Sequence, residues 1–197
     1  MKARAAATPD RRRPILYATM GVIALALVIA VGYLSRNPSV VPSAASETHT
    51  QTALKVGSTA PDFSVSTTAG PFTLASAQTP VFLEVFATWC PHCQREVTVI
   101  NDLYRTYGKQ VQFVGVDGSQ YGMDENSAET QADVVAFAAR LGVEYPIAYD
   151  PDLTVAKQYL SSGFPTLVVI GRDKKILTML DGEQPKAALD KAIRAAL

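Results

Sequence analysis

The chain of 197 residues and 21.1 kDa has room for one ordinary domain and an appendage, not two full domains. Its 18 Lys+Arg balance 18 Asp+Glu and 48% of it is hydrophobic, which argues against both a disordered chain and a basic nucleic-acid binder. With only two cysteines, a disulfide-dense scaffold and a four-thiolate zinc site are excluded.

The zero net charge hides a split. Residues 1–13 carry five basic groups against one acid, +4, which leaves −4 for the remainder. Residues 14–35 contain no charge, and the 20 residues 15–34 would make a helix of roughly 30 Å, the thickness of a bilayer core. The arginines before this span orient it with the N-terminus in the cytoplasm and the rest of the chain outside, a single-pass signal-anchor. Ser43-Ala44-Ala45 resembles a cleavage site, but it lies well beyond a hydrophobic stretch that is long for a cleaved signal. Residues 36–53, rich in Ser, Thr, Pro and Ala, read as a flexible linker. The expected organisation is a basic cytoplasmic segment 1–13, a transmembrane helix 14–35, the linker 36–53 and a folded domain 54–197.

Within that domain, Phe63 to Ser66 and Pro71 to Leu74 read as an edge hairpin. Val81 to Phe86 is a nearly continuous apolar run, as in a strand covered on both faces. A helix is predicted from Pro91 to Tyr107 with Gly108 as its stop, then a buried strand from Val111 to Val116 and a polar loop from Asp117 to Glu129. A helix from Thr130 to Leu141 ends at Gly142, a short strand follows at Ile147 to Tyr149, and Asp150-Pro151-Asp152 opens a helix to Tyr159. A hairpin of Thr166 to Ile170 and Lys175 to Leu180 precedes a last helix near Pro185. Strands alternating with helices and ending in a hairpin and a helix predict an α/β sandwich on a mixed sheet.

The chemistry concentrates in Trp89-Cys90-Pro91-His92-Cys93, between the apolar strand and the first helix. Two thiols two residues apart at a helix N-terminus can close a small disulfide ring, and Pro91 suits the first turn because its missing N–H would have no partner there. The helix start stabilises a Cys90 thiolate, which makes Cys90 the nucleophile and Cys93, one turn deeper, the resolving thiol. His92, as a cation or donor, would stabilise that thiolate further, or is a partly exposed helix-start residue without special duty. Glu84 shares a strand face with Phe82 and Phe86, so desolvation should raise its pKa and let it take the Cys93 proton, unless that face opens to water. Glu96, three residues past Cys93, could serve the same thiol or simply complement the helix start. Pro165, in Gly163-Phe164-Pro165-Thr166, is explained equally well as the first residue of a strand.

The Cys motif after a hydrophobic strand, the Gly163-Phe164-Pro165-Thr166 motif before the last hairpin, and Tyr145-Pro146 followed by Asp150-Pro151-Asp152 together resemble the thioredoxin-like superfamily. More narrowly they resemble its membrane-anchored TlpA/ResA-type branch, from about Val56 to Leu197. The resemblance implies a three-layer sandwich preceded by one transmembrane helix, no cofactor beyond the redox-active Cys90-Cys93 disulfide, and no metal. It implies that Pro165 is cis and faces the cysteines, and that Phe164 pairs its backbone with substrate, Trp89 lying with them as a substrate-binding residue. Glu96 matches the acid this branch carries after its second cysteine, and Glu84 stands in the place of thioredoxin's buried aspartate. Val97 departs from the proline that commonly follows that acid, and Pro91-His92 is the dipeptide of DsbA-type oxidases.

The implied activity is thiol-disulfide exchange on protein dithiols and disulfides, as a reductant recharged by a membrane electron carrier, with cytochrome c maturation as an example. A DsbA-like oxidase is the alternative. A peroxiredoxin-type peroxidase is disfavoured because Leu83 and Ala87 fill the places of its Pro and Thr or Ser, and a Cu(I)-binding module using Cys90, Cys93 and His92 is short of ligands.

Overall fold

The computed structural model describes residues 54–197. The basic segment, the apolar span 14–35 and the linker lie outside the described residues, among which no helix is long and apolar enough to cross a membrane.

Seven strands form one mixed sheet in the order β2-β1-β5-β4-β3-β6-β7. The strands are β1 Ser64–Thr67, β2 Gly70–Thr73, β3 Val81–Phe86, β4 Gln112–Asp117, β5 Ile147–Tyr149, β6 Thr166–Ile170 and β7 Ile176–Asp181. Strands β3, β4 and β5 run parallel, whereas β1, β2, β6 and β7 join through antiparallel pairs. Four α-helices complete the domain: α1 Pro91–Tyr107, α2 Gln131–Leu141, α3 Thr154–Tyr159 and α4 Lys186–Arg194.

The alternation of strand side chains builds the three layers. In β3, Phe82 and Phe86 face a core with Val97, Ile100 and Leu103 of α1, Val134 and Phe137 of α2, and Leu189 and Ile193 of α4. Val81, Leu83 and Val85 face the opposite core, with Val155 and Tyr159 of α3. Every residue of β3 is buried, which is why its sequence reads as a continuous apolar run interrupted only by Glu84. Glu84 therefore lies under α1, the helix that begins with the cysteine motif.

One helix boundary differs from expectation. Asp150 does not open a helix directly: α3 starts at Thr154, and the Asp150 carboxylate accepts the N–H groups of Thr154 (2.9 Å), Val155 (2.7 Å) and Ala156 (3.1 Å). A carboxylate anchored upstream can satisfy orphan amides as well as an adjacent cap can, so the turn shifts the start without losing the signal. Gly108 does end α1, but in a right-handed conformation (φ −60°). A Cβ there would sit 2.7 Å from the Tyr104 carbonyl oxygen, so close approach rather than backbone handedness demands glycine. The α2 boundaries follow the sequence signals, with a Thr130–Asp133 capping box and Gly142 left-handed at φ 63°.

One polar side chain inside this packing ties α1 to the loop before β5. The buried Asn101 donates from Nδ2 to the Gly142 carbonyl at 2.8 Å and accepts from the Glu144 N–H at 2.9 Å.

Candidate active site

Strand β3 delivers the chain to the start of α1 through a tight turn in which the Cys90 N–H donates to the Ala87 carbonyl at 3.1 Å. Cys90 is the N-cap of α1: its Sγ accepts the Cys93 N–H at 3.3 Å, and Pro91 takes the first helical position. Both cysteines are free thiols and both are buried, Cys93 completely. The Cys90 pKa falls to about 6, first because the Cys93 thiol donates to it, then because the amides of Cys93 and His92 and the charge of His92 favour the thiolate against burial. Cys93 moves the other way. Burial is the main cause, with donation to Cys90 and the charge of Glu84 adding to it. One thiol is thus ready to attack at neutral pH while the other keeps its proton.

Glu84 is 1% exposed, and burial raises its pKa to about 8, opposed by the Tyr145 hydroxyl, which donates to Oε2 at 2.7 Å. The strand does not open to water at this point. Tyr145, which precedes β5, entered the sequence analysis only as part of the Tyr145-Pro146 motif, with no partner foreseen for its hydroxyl. Glu96 is also fully buried; Oε2 accepts the Gln184 N–H at 2.9 Å and Oε1 has no partner. Its pKa rises to about 7, mainly through burial. At the sixth position of α1, turned inward, Glu96 does not belong to the acidic first turn of a helix, and α1 runs unbroken past Val97.

His92 is exposed, and its Nδ1 lies 3.1 Å from Glu183 Oε2 and 2.7 Å from Arg95 Nη2. Its charge is the smallest of the influences that lower Cys90. The Phe164–Pro165 peptide bond is cis, and the Phe164 carbonyl accepts from the Cys90 thiol at 3.6 Å, which brings the second motif against the first. Trp89 packs edge-on against Phe164, ring centroids 5.8 Å apart, and its Nε1 donates to Ser119 Oγ at 2.7 Å. A groove of about 830 Å³ opens beside the motif, lined among others by His92, Gly163, Phe164, Glu183 and Lys186.

A family model described as Redoxin matches residues 55–195. The chain belongs to the Redoxin family. A thiol-disulfide oxidoreductase ResA of Geobacillus thermodenitrificans (strain NG80-2) is 33% identical over 168 residues, 84% of this chain and 87% of that protein. The ResA of Geobacillus kaustophilus (strain HTA426) is 31% identical over 148 residues, 74% of this chain and 80% of that protein. Among solved structures, a chain from Chlorobium tepidum described as a candidate thiol:disulfide interchange protein DsbE is 29% identical with a TM-score of 0.64, covering 73% of this chain and 99% of that one. StoA from Bacillus subtilis, at 21% identity and a TM-score of 0.57 over 68% of this chain and 96% of its own, shares the fold. This Redoxin-family protein is thioredoxin-like and of the TlpA/ResA type.

The Redoxin domain also holds a second group of buried acids that the sequence did not announce. Asp117, at the end of β4, has no hydrogen-bond partner on either carboxylate oxygen, and burial followed by the charge of Glu129 pushes it up to about 8. Glu129 accepts from the Thr88 hydroxyl, one residue before Trp89. The segment between these acids reads as a polar loop because its buried members are spaced without a period. Only contacts across 41 residues, such as Thr88 to Glu129, reveal that it supports the motif turn. Among the described residues no three His, Cys, Asp or Glu side chains are grouped to hold a metal ion.

Proposed function

We propose that this chain transfers electrons to protein disulfides as a membrane-tethered, extracytoplasmic reductant. Its class, a thiol-disulfide oxidoreductase, is supported by the ResA relatives and by one observation above all: paired thiols at a helix start, one drawn down to about 6 and the other held protonated. The Cys90 thiolate attacks one sulfur of a substrate disulfide; the S–S bond breaks, one substrate thiolate leaves, and a mixed disulfide remains. Cys93 then gives up its proton and attacks Cys90 Sγ, which expels the second substrate thiolate. The substrate ends as a dithiol and the chain as a Cys90-Cys93 disulfide.

The proton of Cys93 needs an acceptor. Glu84, whose charge is felt at Cys93, is about one-tenth ionised at pH 7 given a pKa of about 8, and that fraction can receive it. The groove beside Phe164 would hold the substrate strand, with Phe164 and Val99 on its apolar side and Trp89 packed behind Phe164. The apolar span and flanking arginines support anchoring to a membrane, with a membrane dithiol carrier returning the chain to its reduced form. Haem-binding cysteines of an apocytochrome c are a substrate of the right chemistry, accessible on that side.

A Cys93→Ala variant should accumulate its partner as a mixed disulfide through Cys90, and an empty trap would overturn exchange. The Pro91-His92 dipeptide favours the second reading, an oxidase. Equilibration with glutathione buffers separates the two: a potential near about −120 mV, that of a strong dithiol oxidant, would reject the reductant.

A further inference from the structure

Residues 182–184, between β7 and α4, meet the site at three consecutive positions. The Gly182 N–H donates to the Pro165 carbonyl at 2.7 Å, and the Gln184 N–H donates to Glu96 Oε2 at 2.9 Å. Between them, Glu183 Oε2 accepts from Arg95 Nε (2.9 Å) and Nη2 (2.7 Å) and lies 3.1 Å from His92 Nδ1. Glu183 has no part in the exchange steps, yet it is the anion set against the cations of the motif helix.

The hydrogen-bond pattern constrains His92. Arg95 has only donors, so in the neutral form of His92 the Nδ1 that Arg95 Nη2 meets at 2.7 Å is the acceptor and the ring proton sits on Nε2. The same nitrogen cannot then donate to Glu183, which is satisfied by Arg95 instead. The charge of Cys90 is felt at Arg95, and Arg95 first, then His92, hold the Glu183 carboxyl below its ordinary value, hence anionic at neutral pH. The other charged groups on this wall are otherwise placed: Lys186 of α4 pairs with Asp102 at 2.9 Å, and Asp181 of β7 accepts from Ser161 at 3.2 Å. Glu96, behind the loop, has its own pKa raised in part by Glu183.

We propose that Glu183 is a positioning residue that sets the redox poise of the dithiol: by neutralising Arg95 and keeping it on His92, it withholds positive charge from Cys90 and makes the pair more reducing than Pro91-His92 alone would. The proposal rests on the exchange reading above. A cation left uncompensated stabilises the thiolate, hence the reduced form, and a dithiol with a more stable reduced form is a stronger oxidant. Because Arg95 and Glu183 are 53% and 36% exposed, solvent and salt screen the effect, and it is modest in size.

The test is a charge series in the full chain, Glu183→Gln and Glu183→Lys, with Arg95→Gln and the double variant E183Q/R95Q. Cys90 ionisation is read from the pH dependence of alkylation, and the dithiol equilibrium from glutathione buffers. At low ionic strength E183Q should lower the Cys90 pKa by about 0.3 unit and E183K by about twice that. The equilibrium should shift toward the reduced form by about twofold for E183Q, or ~9 mV at 29.6 mV per tenfold. R95Q should move Cys90 upward and the double variant return it near the parent, and all shifts should fade in 1 M salt. A Cys90 pKa that is unchanged or rises along Glu, Gln, Lys would overturn the proposal, as would a shift insensitive to salt. Misfolding would reveal itself separately, because the buried Cys93 would become as alkylatable as Cys90. A parent chain that turns over no disulfide would sink the exchange reading instead, while the ionisation series would still read the charge effect.

Discussion

The Tyr145 hydroxyl donates to Oε2 of Glu84 at 2.7 Å, and both residues are buried beneath the helix that carries the thiols. The hydrogen bond favours the ionised carboxyl, against the desolvation that favours the neutral one. Tyr145→Phe should therefore raise the Glu84 pKa further and move the rising limb of the pH profile of the resolution step upward by about one pH unit. Stopped-flow decay of a preformed mixed disulfide across a pH series measures this. An unshifted limb would remove Glu84 from the proton path.

Stability should fall as pH rises through the neutral range. Folding raises Glu84 and Asp117 to about 8 and Glu96 to about 7. The unfolded chain ionises at these residues near pH 4, so it has already lost protons that the folded chain still holds. Their contribution is complete below about pH 4 and is lost as pH climbs to about 8, at up to ~1.4 kcal/mol per pH unit for each group. Glu84→Gln removes one of the three, so urea unfolding near pH 5 and pH 8 should show a shallower loss than the parent. Parallel pH profiles would contradict the burial of an ionisable Glu84.

Cys90 owes its low pKa first to the Cys93 thiol. In Cys93→Ala the amides and His92 remain, but the largest contribution is gone. The midpoint of Cys90 alkylation should climb from about 6 toward the ordinary ~8.5 of a free thiol. A midpoint that stays put would assign the thiolate to the helix start alone.

Gly118 follows β4 where a Cβ would meet Ala156 Cβ at 2.6 Å and Val85 Cγ1 at 3.0 Å. Gly118→Ala should cost about 1–3 kcal/mol by overpacking β3 against α3. Thermal or urea unfolding checks the loss, and a variant as stable as its parent would mean that α3 yields easily.

Much of this architecture was written in local patterns. β3, α1 and β5 occupy the residues that their apolar periods mark, and the cysteine pair sits where strand meets helix. Glu84 stood out because a lone carboxylate in an apolar run is anomalous without knowledge of its surroundings. Its partner did not: Tyr145 lies 61 residues away, and a tyrosine before a proline carries no sign of what its hydroxyl will meet. Asp117 and Glu129 were absorbed into a polar loop because spacing cannot distinguish solvated acids from buried ones. Glu183 escaped notice for the same reason, since its contacts to Arg95 and His92 span 88 and 91 residues. The proline motif was legible as a motif and its place facing the cysteines was implied by the resemblance, whereas the contact itself, Cys90 thiol to Phe164 carbonyl, follows from β6 pairing beside β3.

Asn101 fastens the middle of α1 to the turn that leads into Tyr145. Its amide bridges two backbone groups in the manner of an extra peptide unit, so the helix has a fixed fulcrum roughly two turns beyond Cys93. When the sulfurs join, the adjustment belongs to the short lever on the Cys90 side. The far portion, with Tyr104 edge-on against Phe113, is held to the sheet on its own account, so closing the disulfide should leave it in place.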